Sequence, residues 1–316
     1  MAVPRTTLAW AIFLSVFAAF AWATYYVFVL WVTPGTAPSA ILAYPFVTGG
    51  LAYAALAFGT GHGREFVALW SDPKAYVRIG LLCAMQIFVL AATYLAGPVD
   101  SALLSLIGDV VMTPLLIALF FAVYRAQVAT PLFAVGLIVS LAGGTMAIVA
   151  GQSLSAVMGW GWLAVPGVPL TVAAYFILTA RANRTIDASA VVGQSMLAAG
   201  VVFLAAAPLF PGGWSGLVDI RPVPALWLAL CGLTSFFLAP ALYFLALREV
   251  GLVIPPMLMT GIPVFTLVLS SLVLGIAIPL LGVLGIPVAV LGGVLALRAQ
   301  SGADPEPPPG AGAAAP

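Results

Sequence analysis

The chain reads as an all-α integral membrane protein: ten transmembrane helices in two inverted five-helix repeats. Three observations predict this class. They are a composition too apolar for a water-soluble domain, apolar runs of bilayer-crossing length, and an internal repeat at one fixed spacing. Of 316 residues, 64% are hydrophobic and 6% charged, and the mean hydropathy is +1.21. A hydrocarbon core of about 30 Å is crossed by about 20 apolar residues in helical form, and such windows recur along the chain.

Taken in order, the predicted spans are 8–32, 38–59, 76–97, 101–123, 129–150, 159–180, 188–209, 224–247, 252–274 and 278–298. The first has an apolar run longer than the ~7–15 residues of a signal-peptide core, so it is expected to stay as a helix. Residues 301–316 (SGADPEPPPGAGAAAP) carry no apolar periodicity and read as a disordered tail. Basic residues set the orientation. Arg5, Arg64, Lys74, Arg78, Arg125, Arg181, Arg184, Arg248 and Arg298 fall on one side of a ten-span topology, and only Arg221 falls opposite. Each reads as a topology anchor. The excess of Lys and Arg on the cytoplasmic face then predicts a multi-pass protein of the cell (inner) membrane with both termini cytoplasmic.

Sliding the second half over the first at a shift of 149 residues superposes Tyr26 on Tyr175, Tyr94 on Tyr243, Asp100 on Glu249 and Pro114 on Pro263. The same shift carries Gly136 and Gly143 onto Gly285 and Gly292. The repeats are therefore 8–150 and 159–298. Five spans per repeat is an odd number, so the second copy enters the membrane from the other side. Secondary transporters use such inverted repeats to hold a substrate site near the midplane.

One stretch concentrates the polar signals. From Tyr94 to Tyr124, after a short Gly-Pro turn that carries Asp100, the chain forms an apolar run with Asp109 near its middle and Ser101, Ser105 and Thr113 spaced by four around it. A carboxylate at the bilayer centre costs on the order of 2.5–3.5 kcal/mol on insertion scales, so it is expected to face a cavity or a partner. Three roles stay open for Asp109: proton carrier, counter-charge for a cationic group, or structural acid bonded to Gln86 or Ser105. Pro114 frees the carbonyl of Val110, and Pro263 stands at the equivalent place in the second copy, so both are candidate hinges of broken helices.

Two segments carry a family resemblance: ATYLAGPVDSALLSLIGDVVMTPL at 92–115 and YFLALREVGLVIPPMLMTGIPVF at 243–265. The Gly-bearing helices VGLIVSLAGGTMAIV and LGVLGIPVAVLGGVLAL close the two copies. Together these resemble the drug/metabolite transporter superfamily, specifically the ten-helix EamA-like exporters, over residues 8–298. The chain departs from that pattern at Tyr44-Pro45-Phe46, at the ends of spans four and nine, and at Asp109 itself. The resemblance implies an exporter of a small organic metabolite (amino acid, amine or drug-like compound) working by alternating access, with a cavity lined by spans 1, 3, 4, 6, 8 and 9. The candidate pathway residues are Asp109, Gln86, Ser105, Thr113, Tyr26, Tyr94, Tyr175, Tyr243 and Thr260, and proton coupling through Asp109 is one of the three roles left open for it. Tyr25 joins the aromatic wall. Gln194, Ser195, Thr234 and Ser235 read as interhelical hydrogen-bonding groups.

Other classes find less support. The single histidine, His62, sits in a loop, and Cys83 and Cys231 lie within apolar runs, so neither a metal site nor a disulfide is expected. No GxxxxGK[ST] loop exists to hold ATP, and no cofactor or nucleic acid is expected. An integral-membrane lipid-modifying enzyme would need a clustered acid, nucleophile or metal near one surface, which Asp100, Asp219 and Arg221 do not supply. A non-transporting receptor is the remaining alternative.

Overall fold

The computed structural model describes residues 5–32, 35–95, 129–149, 164–250, 255, 258–259, 261–275, 277 and 280–301. Every regular element among the described residues is helical. The principal helices are α1 (Arg5–Val32), α2 (Pro38–Gly59), α3 (Pro73–Leu95), α4 (Pro131–Val149), α5 (Ala164–Ala182), α6 (Ala188–Ala205), α7 (Pro222–Cys231), α8 (Ala239–Val250), α9 (Gly261–Leu274) and α10 (Leu280–Ser301). A π-helical segment, Gly232–Leu238, joins α7 to α8 into one rod.

Among the described residues, five helices are long and apolar enough to cross a membrane: Thr7–Val29, Pro38–Gly59, Pro73–Ala91, Ala188–Ala205 and Pro222–Val250. Shorter apolar helices occupy the spans predicted around 129–150, 159–180, 252–274 and 278–298. The span at 101–123 lies outside the described residues, and with it Ser105, Asp109, Thr113 and Pro114. Thr260 also lies outside them, whereas Tyr94 and Pro263 fall on α3 and α9.

Side-chain size, rather than polarity, separates the faces of these helices. On α1 the buried face is small, with Ala11, Ser15 and Ala18 each 0% exposed. The opposite face carries Trp10, Phe13 and Phe17 in the open. Small residues let helix backbones approach, and bulky ones belong against lipid tails, which offer no hydrophobic incentive for burial.

The tightest approaches follow that rule. α4 and α10 cross where Ser140 donates a hydrogen bond to the Ala289 carbonyl at 3.2 Å, a pair separated by 149 residues. A Cβ on Gly143 would sit 2.7 Å from the Gly285 carbonyl oxygen and against the Ala289 backbone. A Cβ on Gly292 would sit 2.7 Å from the Gly136 carbonyl oxygen and against Ser140. The partner number falls as the position on α4 rises, so the two helices run antiparallel here. On α2, Val47 meets Gly200, Gly50 meets Leu197, and Tyr53 meets Gly193. That pair, α2 and α6, is antiparallel by the same test. The packing of α1 against α8 recurs, one offset later, as the packing of α5 against α3.

The ends of the helices sort into two faces. At one, the Asp187 backbone N–H donates to Glu65 at 2.9 Å, and His62 Nε2 lies 3.9 Å from Asp187. Exposed Arg64, Lys74, Arg181, Arg184 and Arg248 gather at this end. At the other, the Tyr44 hydroxyl donates to the Leu217 carbonyl at 3.0 Å, near the exposed Arg221.

Candidate functional site

A cavity of about 90 Å³ sits among α1, α3, α5, α6, the π segment, α8 and α9. Its walls are aromatic and aliphatic, contributed by Trp22, Tyr25 and Tyr26 of α1, Leu82, Met85 and Val89 of α3, and Tyr175 and Phe176 of α5. Polar groups are sparse. Gln86 Nε2 donates to the Tyr25 hydroxyl at 2.6 Å, joining α3 to α1 at mid-depth. Ser235 of the π segment also lines the space, and its hydroxyl donates to the Ala21 carbonyl at 3.0 Å. Apolar walls with a few placed polar atoms are the usual make-up of a small-molecule site. The volume is smaller than the ~150 Å³ of an engineered closed cavity that binds benzene, and this cavity is partly open.

Three of the sequence candidates meet here: Gln86, Tyr26 and Tyr175 all line the cavity. Tyr243 stands behind the wall, with its ring 5.3 Å from Trp22 and 5.1 Å from Phe176. Tyr94 lies in the last turn of α3, above these residues in the chain. Helices from predicted spans 1, 3, 6, 8 and 9 contribute, as the resemblance implies, and Met196 of α6 adds a seventh-span residue.

The π segment goes beyond what the sequence pattern predicts. Pro240 lacks an N–H and its ring crowds the carbonyl of Phe236, four residues earlier, so α-helical pairing fails there and the turn widens. The widened turn packs tightly against α2. A Cβ on Gly232 would meet the Pro45 carbonyl oxygen at 2.7 Å, and Phe236 meets Phe46 edge-to-face with ring centroids 4.5 Å apart. Thr234 and Ser235 each lie 3.0 Å from the Thr24 hydroxyl, so both do bond between helices. The sequence signal for the break is Pro240 in the middle of a span.

Gln194 behaves differently from the interhelical bonding expected of it. Both of its amide atoms are buried with no hydrogen-bond partner among the described residues. The same holds for the hydroxyls of Tyr53, Tyr175 and Thr179, and for Nε and Nη2 of Arg78. Arg78 is 4% exposed, so it is not the surface anchor that its place near a span end implied. Cys83 and Cys231 are buried free thiols. Trp10 and Trp31 are exposed near opposite ends of α1, as interfacial anchors would be. Among the described residues no group of three His, Cys, Asp or Glu side chains could hold a metal.

At the basic end, Asp187 caps α6: its Oδ1 accepts from the Ser189 N–H at 2.9 Å and the Ser189 hydroxyl at 2.6 Å. Burial pushes this carboxyl up, but the Ser189 hydrogen bonds, His62 and Arg248 outweigh it and hold it below the usual carboxylate range.

Residues 159–298 match the family model described as the EamA-like transporter family. No curated protein matches the chain. A solved crystal structure is 21% identical, superposes with a TM-score of 0.66, and covers 92% of this chain and 98% of its own. At that identity the likeness is one of fold.

Proposed function

We propose, from the match of residues 159–298 to the EamA-like transporter family model, that this protein is a drug/metabolite transporter, a secondary transporter of small organic solutes. It works by alternating access between two inverted five-helix repeats, 8–150 and 159–298, and exports its solute across the cell inner membrane with both termini cytoplasmic. The observation that carries the reading is the aromatic cavity itself, lined from both repeats and joined at mid-depth by the Gln86–Tyr25 hydrogen bond. The reciprocal α4–α10 crossing at an offset of 149 residues supports the repeat, and the gathering of basic residues at one end supports the orientation.

Gln86, Tyr26 and Tyr175 contact the solute in this reading. Tyr94, Ser105, Thr113, Tyr243 and Thr260 shape the pathway, and Pro114 and Pro263 serve as its hinges. Asp109 carries the coupling proton, since a lone acid at that depth is stable only when neutral or paired. The family that residues 159–298 match is one of transporters, which favours this reading over a lipid-modifying enzyme.

Flux into proteoliposomes tests this. Purified protein is expected to drive counterflow of a labelled aromatic solute, and an imposed pH gradient to accelerate it. Asp109→Asn is expected to abolish the response to the gradient while leaving counterflow. A pH response undiminished in Asp109→Asn would remove the coupling role, and absence of flux for every solute class would remove the transporter reading.

A further inference from the structure

The least expected charge among the described residues is Arg78. It lies one turn before Leu82 on α3, about 6 Å along the axis, and i, i+4 spacing places it on the cavity-facing side of that helix. Its guanidinium is within electrostatic reach of the Tyr175 hydroxyl, which in turn is within reach of the Tyr53 hydroxyl. Nε and Nη2 of Arg78 and both tyrosine hydroxyls are buried without hydrogen-bond partners among the described residues. Thr179, one turn along α5 from Tyr175, lies beside it but outside hydrogen-bonding geometry. Asp72 is the acidic group in reach of Arg78. Its Oδ1 accepts from the Lys74 N–H at 3.0 Å, and no ion pair with Arg78 forms among the described residues.

A guanidinium cannot shed its proton to escape this burial, and its planar fork of donors matches the two oxygens of a carboxylate. We propose that Arg78, with the hydroxyls of Tyr175 and Tyr53, forms an anion subsite at the basic end of the cavity, and that it takes the carboxylate of a small acid whose apolar or aromatic body fills the cavity above. The inference rests on the transporter reading and narrows its substrate class. A single guanidinium, partly offset by Asp72, suits a monoanion rather than a phosphate dianion. The apolar walls suit a hydrocarbon tail.

The test compares three probes matched in size, 3-phenylpropionate, 3-phenylpropylamine and 3-phenylpropan-1-ol, by thermal melting of the purified full chain, since a ligand that binds only the folded state raises its melting point. The acid is expected to bind at least about tenfold more tightly than the amine or the alcohol. Arg78→Met is expected to remove that preference while leaving the alcohol's affinity unchanged, and Arg78→Lys to restore part of it. Equal binding of acid and amine, no binding of the acid, or full acid affinity in Arg78→Met would each overturn the subsite. So would an Asp109→Asn chain whose lost stability returns when Arg78→Met is added, because Asp109 would then be the partner of the guanidinium. Counterflow separates the two levels. Arg78-dependent acid binding without flux leaves the subsite and removes the carrier, and flux of amine or alcohol indifferent to Arg78 leaves the carrier and removes the subsite.

Discussion

At the scale of single residues, position along a span and direction around the helix carry different information. Gln86 and Tyr25 meet at 2.6 Å because each points inward from its own helix at the same depth. Interhelical hydrogen bonds in membranes contribute about 0.6–2 kcal/mol. Tyr25→Phe is accordingly expected to destabilise the folded protein by about 0.6–2 kcal/mol, read as a lowered melting midpoint. Asp187→Ala removes the side-chain cap on α6, at a cost of about 1 kcal/mol, and leaves the backbone tie to Glu65 in place. Because the Asp187 carboxyl is held low in the folded protein, its contribution is complete above the unfolded value near 3.9 and disappears as pH falls through the lower folded value. A melting series from pH 6 downward should therefore converge for wild type and Asp187→Ala only at strongly acidic pH. Gln86, Tyr26 and Tyr175 were legible in the sequence as polar or aromatic groups at mid-span. Arg78 was not. Near a span end it looks the same as Lys74, four residues earlier on the same face, and only the packing of α3 against α5 covers the one that sits a turn deeper and leaves the other exposed.

Among elements, the crossings are set by absent side chains. A β-branched residue at Gly292 would collide with the Ser140 backbone, so Gly292→Val is expected to destabilise the α4–α10 pair by about 1–3 kcal/mol. Gly80, where an added Cβ would meet nothing within 4 Å, is the control: Gly80→Ala should be neutral or stabilising by up to about 1 kcal/mol. Chemical denaturation in mixed micelles reads both. The equivalence of Gly143 and Gly292 was visible as a repeat, but the fact that these two helices touch each other was not, because no one-dimensional pattern specifies which equivalent faces meet. The π segment belongs to the same lesson. Pro240 announced a break in the rod, and its outcome as a widened turn packed on α2, rather than a simple kink, depends on Gly232 and Gly49 admitting the close approach.

For the whole molecule, α4–α10 and α2–α6 are antiparallel pairs and α1 packs on α8 as α5 packs on α3, an arrangement that agrees with the proposed inverted repeats. In the proposed mechanism the cavity of about 90 Å³ opens to one face and then the other as the two halves move. The most direct test places spin labels in reconstituted protein at Arg64 and Thr185 on the basic face, and at Trp31 and Val218 on the other. Each pair joins one copy to the other. Adding a transported solute is predicted to shift the two distance distributions in opposite senses, one face opening as the other closes. Distances that stay fixed, or that lengthen together on both faces, would contradict alternating access between the two halves.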